Sequence, residues 1–334
     1  MYHGRFKGTH YEAGYRYGQM VKKHGHVITS SPTFNITDEM IQFTKECLPI
    51  YKKLYPEVVE EIQGMSDGQG TELEVLCRIL FSMYCFKPDN HCTCFAYADD
   101  NNIMLGRNSD FLVSIEKLYM NCLYKLEGGY SFNANTTAFV QMEDGMNEHG
   151  LATGLTFIYP HIRKPGFNAG MMIRFILERC KTVDEAIEAL RNIPAASAQT
   201  ITLADKTGKI AIVESNPEKF VVLSPKNGHK YLGTANNFNS TEMKEYRSPK
   251  GHDDWRADER YQTVVNGFEN SSESFSFEFA KDILSGKYGF ICQYDRKKGA
   301  DTVWSAIYDV KNSKIFRVEG NPKRKPFKED IRKI

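Results

Sequence analysis

The sequence of 334 residues has almost no excess of either charge. It carries 43 lysines and arginines against 42 aspartates and glutamates, a formal net charge of +1. Nucleic acids and anionic membrane surfaces attract proteins with a concentrated positive charge. We therefore expect no nucleic-acid partner and no membrane partner. A small molecule or a peptide is the expected ligand.

The chain also lacks a long run of apolar residues. Its opening segment, MYHGRFKGTHYEAGYRYGQM, contains Gly, Lys, His and Glu where a secretory signal needs an unbroken apolar stretch. No later segment approaches the length of a membrane span. The sequence therefore predicts a cytoplasmic protein.

A disulfide framework is missing as well. The cysteines are scattered along a chain that is too long to need cross-links, so free thiols are expected. A zinc site at His91, Cys92 and Cys94 is disfavoured, because these residues are too crowded for tetrahedral coordination and no second ligand pair follows. We expect neither a metal nor a cofactor. The cysteines are Cys47, Cys77, Cys85, Cys92, Cys94, Cys122, Cys180 and Cys292.

Hydrophobic periodicity divides the chain into alternating helical and strand regions. A helical period extends from Thr9 to about Phe86, and strands with tight turns begin at Cys92. Helices are predicted again at about 169–192 and 255–285, with strands between and after them. This order favours an α+β fold of antiparallel sheets between helical layers. The strands predicted first are CTCFAY, IMLGRN, LYMNCLYKL, TTAFVQM and LATGLTFI.

Reactive side chains are concentrated in HCTCFAYADDNNIMLGRNSDF, residues 91–111. Side chains alternate across a strand, so Cys92 and Cys94 point to the same face. A hairpin through the ADDNN turn brings Arg107 and Asp110 back toward the start of the first strand. A cation and a carboxylate near a thiol lower its pKa and orient a base, which indicates a cysteine nucleophile. A buried structural salt bridge beside two core cysteines is the alternative.

Three motifs in this order resemble a known superfamily. They are Cys-Thr-x-Phe at 92–95, GRNSDF at 106–111 and DGMNEHGL at 144–151. The set resembles the linear-amide hydrolases of the N-terminal-nucleophile superfamily, which include bile salt hydrolases, penicillin V acylases and the isopenicillin N acyltransferase family (peptidase C45). GTHYEAGYRYGQ and YPEVVEEIQGMSDGQG resemble the helical leader of the acyltransferase branch. The resemblance implies a four-layer αββα sandwich, with a helical leader over 1–91 and a catalytic domain over 92–334.

The resemblance also implies roles for individual residues. The nucleophile matches Cys92, because its offset of 15 residues from Arg107 is similar to the family spacing. Arg107 and Asp110 match the catalytic Arg and Asp, and Arg260, in an Arg-Tyr pair, matches a later catalytic arginine. The oxyanion-hole asparagine matches Asn236, with Asn237 as an alternative shifted by one residue.

Thr156 stands where bile salt hydrolases have a second oxyanion asparagine, which argues against bile-salt specificity. Cys94 stands where relatives have a small residue. Substrate contacts are predicted at Thr93, Asn147, Thr156 and Asn237.

The chemistry of this superfamily explains why a leader precedes the nucleophile. An N-terminal nucleophile uses its own α-amine as the general base. While His91 is attached to Cys92, that nitrogen is an amide and cannot accept a proton. The implied activation is self-cleavage of the His91–Cys92 bond, in which the Cys92 thiol attacks the His91 carbonyl.

The mature enzyme then forms an acyl-thioester from an N-acyl amide or peptide. Water makes it an amidohydrolase and an amine makes it an acyltransferase, with acyl-CoA possible only as a substrate.

Two alternatives remain at the level of sequence. His10 and His91 suggest a cysteine–histidine dyad, but a papain-like hydrolase needs its histidine far downstream on a strand, and His229 and His252 lie in loop-like, polar segments. An unprocessed, non-catalytic relative would keep the fold and the leader and act as a binding protein. Assembly into a homo-oligomer is compatible with either function.

Overall fold

A computed structural model of the chain describes residues 1–29, 35–86, 91–226, 228–270 and 275–334. In these ranges two β-sheets lie face to face, and a helical layer covers the outer face of each sheet. This is the four-layer αββα arrangement, so the α+β prediction is confirmed.

The strands differ in length, from 2 residues in the last to 10 residues in the longest. They are β1 Tyr2–Gly8, β2 His91–Ala98, β3 Ile103–Leu112, β4 Met120–Leu126, β5 Phe132–Thr136, β6 Asp144–Asn147, β7 Ala152–Phe157, β8 Gln199–Ala204, β9 Ile210–Ser215, β10 Phe220–Leu223, β11 Tyr231–Thr234, β12 Ala300–Asp309, β13 Lys314–Val318 and β14 Lys328–Glu329. The α-helices are α1 His10–Lys23, α2 Asp38–Leu54, α3 Pro56–Gln69, α4 Leu73–Ser82, α5 Ala169–Arg179, α6 Val183–Asn192, α7 Ala257–Asn270 and α8 Phe277–Leu284. Short 3-10 segments occupy Val113–Leu118, Thr241–Tyr246 and Arg296–Lys298.

Within the described ranges, the strands form one sheet of eight and one sheet of six. The larger sheet has the spatial order β1-β4-β5-β6-β7-β8-β9-β10, and the smaller has the order β11-β2-β3-β12-β13-β14. Neighbouring strands are antiparallel except β1 and β4, which are parallel. Strand β2, which begins with His91 and Cys92, therefore lies inside the smaller sheet, next to its edge strand.

Strand alternation separates two apolar cores on the two faces of the smaller sheet. Cys94 and Ala96 of β2 pack between the sheets against Ala152 of β7. Phe95 and Tyr97, on the opposite face, pack against α7 and α8. Helices α1–α6 cover the outer face of the larger sheet. None of the helices in the described ranges is long and apolar enough to cross a membrane.

The leader helices α1 and α3 approach each other closely through glycines. A Cβ atom added to Gly14 or Gly18 of α1 would lie 1.9 or 2.1 Å from a carbonyl oxygen of α3. A Cβ atom at Gly64 or Gly68 of α3 would lie 2.1 or 2.2 Å from a carbonyl oxygen of α1. Real Cβ atoms do not approach oxygen so closely, so the helix contact requires glycine at these positions.

A buried ionic cluster joins the leader to α5. Arg174 of α5 lies 2.7 Å from Glu61 of α3 and 2.6 Å from Glu178 of its own helix. Glu178 also accepts hydrogen bonds from Tyr55 and from His10 of the leader. Burial alone would raise the pKa of Glu178, but Arg174 and His10 outweigh it and lower that pKa to about 2. The carboxylate is therefore ionised in the folded protein and ties the leader to the rest of the chain.

Some predicted elements are wrong. The predicted strand TTAFVQM is instead the end of β5 followed by a loop, because Glu143 accepts hydrogen bonds from the backbone N–H and the hydroxyl of Thr137 and closes that segment into a loop. DGMN of the DGMNEHGL motif, which lies outside the strands predicted first, forms β6 between β5 and β7. Tyr2–Gly8, which precedes the predicted helical region, forms β1, an element that was not predicted, and adds a strand to the larger sheet.

Candidate active site

The β2–β3 hairpin brings the predicted site residues together. Asp99 accepts hydrogen bonds from the backbone N–H groups of Asn101 and Asn102, which closes the turn. The resulting register places Cys94 opposite Arg107, and it places Asp110 opposite the residue before Cys92. Paired residues of an antiparallel ladder share a face of the sheet, so Arg107 points into the space between the two sheets.

Arg107 is fully buried and every nitrogen of its guanidinium has an acceptor. Its Nη2 donates to the Sγ atom of Cys92 at 2.7 Å and to Glu143 at 3.0 Å. Its Nη1 donates to Asp144 at 2.7 Å, and its Nε donates to the carbonyl of Leu155 at 2.9 Å. The guanidinium is therefore fixed in position with one N–H directed at the thiol.

Glu143 and Asp144 are site residues that sequence reasoning missed. Both carboxylates are buried, and each receives an Arg107 nitrogen. The signal available in the sequence was the pair of adjacent acids, since Asp144 begins a strand that is buried. A buried carboxylate requires a cation or a hydrogen-bond donor as its partner. Their other donors come from Tyr84, Ser109, Thr137, Asn135, Trp304 and Tyr308.

The main chain of Cys92 is held as firmly as its thiol. The Oδ1 atom of Asn236 accepts from the Cys92 N–H at 2.8 Å, and Arg260 Nη1 donates to the Cys92 carbonyl at 2.6 Å. Arg260 also donates to Asn236 Oδ1 at 2.8 Å. The carbonyls of Asp254 and Trp255 accept from the same guanidinium and fix its orientation. Asn236 and Arg260, both predicted site residues, lie more than 140 positions after Cys92 in the sequence and contact it in the structure.

Asp110 lies on the other face of β3 from Arg107, because the two residues are an odd number of positions apart. Its carboxylate accepts from Tyr294 at 3.0 Å and from Thr302 at 2.6 Å, and it lies 3.8 Å from Arg260 Nη1. Burial raises the pKa of Asp110 to about 6, although Arg260 and the two hydroxyls oppose that shift. Asp110 is therefore linked to Cys92 through Arg260.

His91, the residue before the candidate nucleophile, is packed against an aromatic side chain. Its ring stacks on Trp255 with centroids 4.4 Å apart and an interplanar angle of 21°. Its Nδ1 atom has no hydrogen-bond partner among the described residues. Burial, with a smaller effect of Arg260, lowers the pKa of His91 well below its ordinary value, so the ring is neutral.

Burial keeps both candidate thiols protonated in this form of the chain. It raises the pKa of Cys92 far above its ordinary value, and the nearby Arg107 offsets only part of that effect. Burial likewise raises the pKa of Cys94 to about 12. Glu143 and Asp110 add to the shift at Cys92, because they place negative charge near the sulfur.

The remaining predicted contacts lie around this centre. The Thr93 hydroxyl accepts from Arg260 at 3.0 Å, and the Thr156 hydroxyl donates to the Ala235 carbonyl at 2.8 Å, just before Asn236. Asn237 accepts from the N–H groups of Phe238 and Ser248, so it holds its own loop. Of the two asparagines, Asn236 is the one that contacts Cys92.

Asn147 lies at the far end of β6 from Asp144. Its amide donates to the carbonyls of Leu177 and Cys180 at 3.0 and 2.7 Å, and its oxygen accepts from the N–H groups of the next turn. These contacts hold the end of α5 against the sheet. A substrate contact at Asn147 stays a prediction.

The histidines of the alternative mechanism have other surroundings. His10 contacts Glu178 in the leader cluster, His229 stacks edge-on against Tyr231, and His252 stacks edge-on against Tyr159. Among the described residues, no group of three or more His, Cys, Asp or Glu side chains is arranged to hold a metal ion.

Solved structures resemble the chain at low sequence identity. A penicillin V acylase from Agrobacterium tumefaciens is 18% identical over 68% of this chain and 83% of that chain, with a TM-score of 0.46. A mutant of conjugated bile acid hydrolase from Clostridium perfringens is 17% identical over 72% of this chain and 97% of that chain, with a TM-score of 0.44. A search of curated proteins found no match.

A protein-family model gives the more specific result. The model for acyl-coenzyme A:6-aminopenicillanic acid acyl-transferase matches residues 97–324. The match includes Arg107, Asp110, Asn236 and Arg260, and it begins just after Cys92. Since the matched residues make up more than half of the sequence, the chain belongs to the acyl-coenzyme A:6-aminopenicillanic acid acyl-transferase family.

Proposed function

We propose that the protein is a cysteine N-terminal-nucleophile enzyme that acts on linear amide C–N bonds and becomes active by cleaving its own chain between His91 and Cys92. The observation that carries this proposal is the environment of Cys92. Its thiol, its N–H and its carbonyl are held by Arg107, Asn236 and Arg260, respectively. A core cysteine with a purely structural role does not need all three contacts.

Self-cleavage requires no further reactant than water. The Cys92 sulfur attacks the carbonyl carbon of His91, the C–N bond to Cys92 breaks, and the thiol proton passes to the departing nitrogen. Water then hydrolyses the resulting thioester, giving a carboxylate on His91 and a free thiol on Cys92. The stacking of His91 on Trp255 supports this step, because it restricts the residue that carries the scissile carbonyl.

Cleavage changes the charge balance around the thiol. In the intact chain Arg107 and Arg260 favour a Cys92 thiolate, while Glu143 and Asp110 oppose it. These charges largely offset one another, and burial, the largest effect, disfavours the thiolate. The freed α-amine supplies a new base, and in its protonated form it supplies a new positive charge. Asn236 Oδ1, which already accepts from this nitrogen, would keep the amine beside the sulfur.

The mature enzyme would then use the same groups on a substrate amide. The α-amine of Cys92 takes the thiol proton, the thiolate attacks the substrate carbonyl, and the leaving amine takes the proton as the C–N bond breaks. Arg107 stabilises the thiolate, and Arg260, which donates to the Cys92 carbonyl, is a cationic donor for the developing oxyanion. For Asn236 to serve as an oxyanion donor, its Nδ2 atom must leave the Phe157 carbonyl, to which it donates in the intact chain. Asp110 holds Arg260 in place.

The acyl-thioester is released by water or by an amine. The family name describes transfer from acyl-coenzyme A to 6-aminopenicillanic acid, and two similar structures are named as a penicillin V acylase and a conjugated bile acid hydrolase. For this chain we propose an N-acyl amide or peptide donor, with acyl-CoA as an alternative donor. The reaction requires no bound metal or cofactor.

Trapping the acyl-enzyme tests the proposal. Purified protein is mixed with a panel of N-acyl p-nitroanilides, and its intact mass is measured in acid. We expect an added acyl mass on the Cys92 fragment that hydroxylamine removes, because hydroxylamine cleaves thioesters. Cys92→Ala should lose the adduct and Cys94→Ser should keep it. An adduct that follows Cys94, or p-nitroaniline release by Cys92→Ala, would contradict the assignment.

A further inference from the structure

Tyr84 belongs to the leader, yet its hydroxyl faces the candidate active site. It follows α4 and precedes the proposed cleavage bond. Its backbone is in the left-handed region, with φ of 62°. The Ser197 hydroxyl donates to its carbonyl at 2.7 Å, and its ring packs against the backbone at Gly170. The residue is 7% exposed, so these contacts fix the direction of the side chain.

A chain of three hydrogen bonds leads from this hydroxyl to the nucleophile. Tyr84 donates to Glu143 Oε1 at 3.2 Å. The other oxygen of that carboxylate accepts from Arg107 Nη2 at 3.0 Å. The same Nη2 donates to Cys92 Sγ at 2.7 Å. Glu143 and the thiol therefore share one donor nitrogen.

We propose that Tyr84 is a positioning residue that the leader supplies to the active site, acting on Cys92 through Glu143 and Arg107. The inference rests on the proposed function and extends it, because it makes a residue of the cleaved leader part of the active site of the mature enzyme. The leader fragment must then stay bound after cleavage, with Tyr84 in place.

The physical reason is competition for Arg107. Burial, followed by the nearby Glu143, raises the pKa of Tyr84 well above its ordinary value, so the phenol stays neutral and donates. This bond satisfies part of the negative charge of Glu143. Without it, the carboxylate depends more on Arg107, and the shared nitrogen stabilises the Cys92 thiolate less. Asp110 and Arg260, the other charged groups that bear on the thiol, are not hydrogen-bonded to the Tyr84 hydroxyl.

The test compares two buried tyrosines of the leader whose hydroxyls donate to different buried carboxylates. Tyr84→Phe removes the hydroxyl that faces Glu143. Tyr55→Phe is the matched control, because Tyr55 is also buried and also donates to a buried carboxylate, that of Glu178 outside the site. The readout is the rate of Cys92 alkylation by iodoacetamide as a function of pH, quantified on the Cys92 peptide by mass spectrometry.

We expect Tyr84→Phe to move the alkylation profile to higher pH and to slow alkylation at neutral pH about threefold. This is less than the roughly tenfold effect of losing a direct hydrogen bond to a charged group, because Thr137 and Ser109 still donate to Glu143. Tyr55→Phe should leave the profile unchanged. Glu143→Gln removes the competing charge, so adding Tyr84→Phe to that variant should produce no further shift. An unchanged profile in Tyr84→Phe, or equal shifts from both tyrosines, would overturn the inference.

Failure of the proposed function is visible separately. If the wild type keeps its full mass and shows no Cys92 N-terminus, self-cleavage is wrong. The comparison of Tyr84→Phe with wild type still reports on the hydrogen-bond chain in that protein, because local opening exposes the buried Cys92 of an intact chain to iodoacetamide over longer reaction times.

Discussion

Arg107 donates a hydrogen bond to the Cys92 sulfur at 2.7 Å, although the residue opposite Arg107 in the hairpin is Cys94. The guanidinium reaches diagonally along the shared face of β2, toward the start of the strand. Asp144 and Glu143 hold it in this direction from the facing sheet. The contact therefore depends on both sheets, and it selects Cys92 rather than Cys94 as the thiol with a fixed cationic donor.

Arg107→Lys tests the fixed donor geometry. Lysine keeps the positive charge but cannot donate in the planar fork that reaches Cys92, Glu143 and Asp144 together. We expect self-cleavage to slow at least about a hundredfold, and the free energy of unfolding to fall by about 3 kcal/mol, because a buried carboxylate loses its partner. A gel time course after cell-free synthesis and a urea titration measure the two effects. Wild-type cleavage in Arg107→Lys would show that charge alone is sufficient.

The two cysteines of β2 should respond differently to serine. Cys94→Ser places a hydroxyl in the apolar layer between the sheets and should cost about 1 kcal/mol of stability while cleavage continues at a similar rate. Cys92→Ser replaces the nucleophile with a weaker one and should slow cleavage about a hundredfold or more. The same time course measures both variants. Slow cleavage in both would mean that the site does not distinguish the two thiols.

Glu178 of the leader cluster should make stability depend on acid pH. The pKa of Glu178 falls from its ordinary 4.5 to about 2 in the folded protein, mainly because Arg174 and then His10 outweigh the effect of burial. This stabilisation is present above pH 4.5 and is lost as pH falls toward 2, and the shift corresponds to about 3 kcal/mol.

Glu178→Gln should remove this component. The free energy of unfolding of the wild type, measured in urea, should fall more steeply than that of Glu178→Gln between about pH 5 and pH 2. Parallel pH profiles of the two proteins would contradict the lowered pKa of Glu178.

Gly64→Ala should weaken the contact between the leader helices. The added Cβ would lie 2.1 Å from the carbonyl oxygen of Tyr11, so α1 and α3 must separate. We expect a loss of about 2 kcal/mol or more in the free energy of unfolding, despite the better helix propensity of alanine. Glu60→Ala, at an exposed position of the same helix, is the control and should change stability little. A Gly64→Ala protein as stable as wild type would exclude the close contact.

The features that the sequence predicts best depend on local pattern. Strand alternation and the ADDNN turn place Cys92, Cys94 and Arg107 on one face, and the structure has all three there. Asn236 and Arg260 came from the resemblance, because no local pattern relates them to a strand so distant in the chain. They reach Cys92 through β11, which pairs with β2, and through α7, which covers it.

The missed features depend on the pairing of distant segments. Glu143 and Asp144 meet Arg107 only because the two sheets lie face to face, and that arrangement leaves no spacing signal in the sequence. The first strand was missed for a similar reason, since β1 is stabilised by β4 rather than by its own neighbours. Tyr84 fell within a segment that periodicity assigned to a helix, although its backbone there is left-handed.

Intact mass and N-terminal sequencing of the purified protein test the central claim most directly. Self-cleavage predicts two associated fragments of about 10 kDa and about 28 kDa from the chain of 38.2 kDa, with Cys92 as a new N-terminus. Cys92→Ala should remain one chain of full mass, because the scissile carbonyl loses its attacker. A wild-type protein that hydrolyses amides while showing only the intact mass and no Cys92 N-terminus would contradict the mechanism.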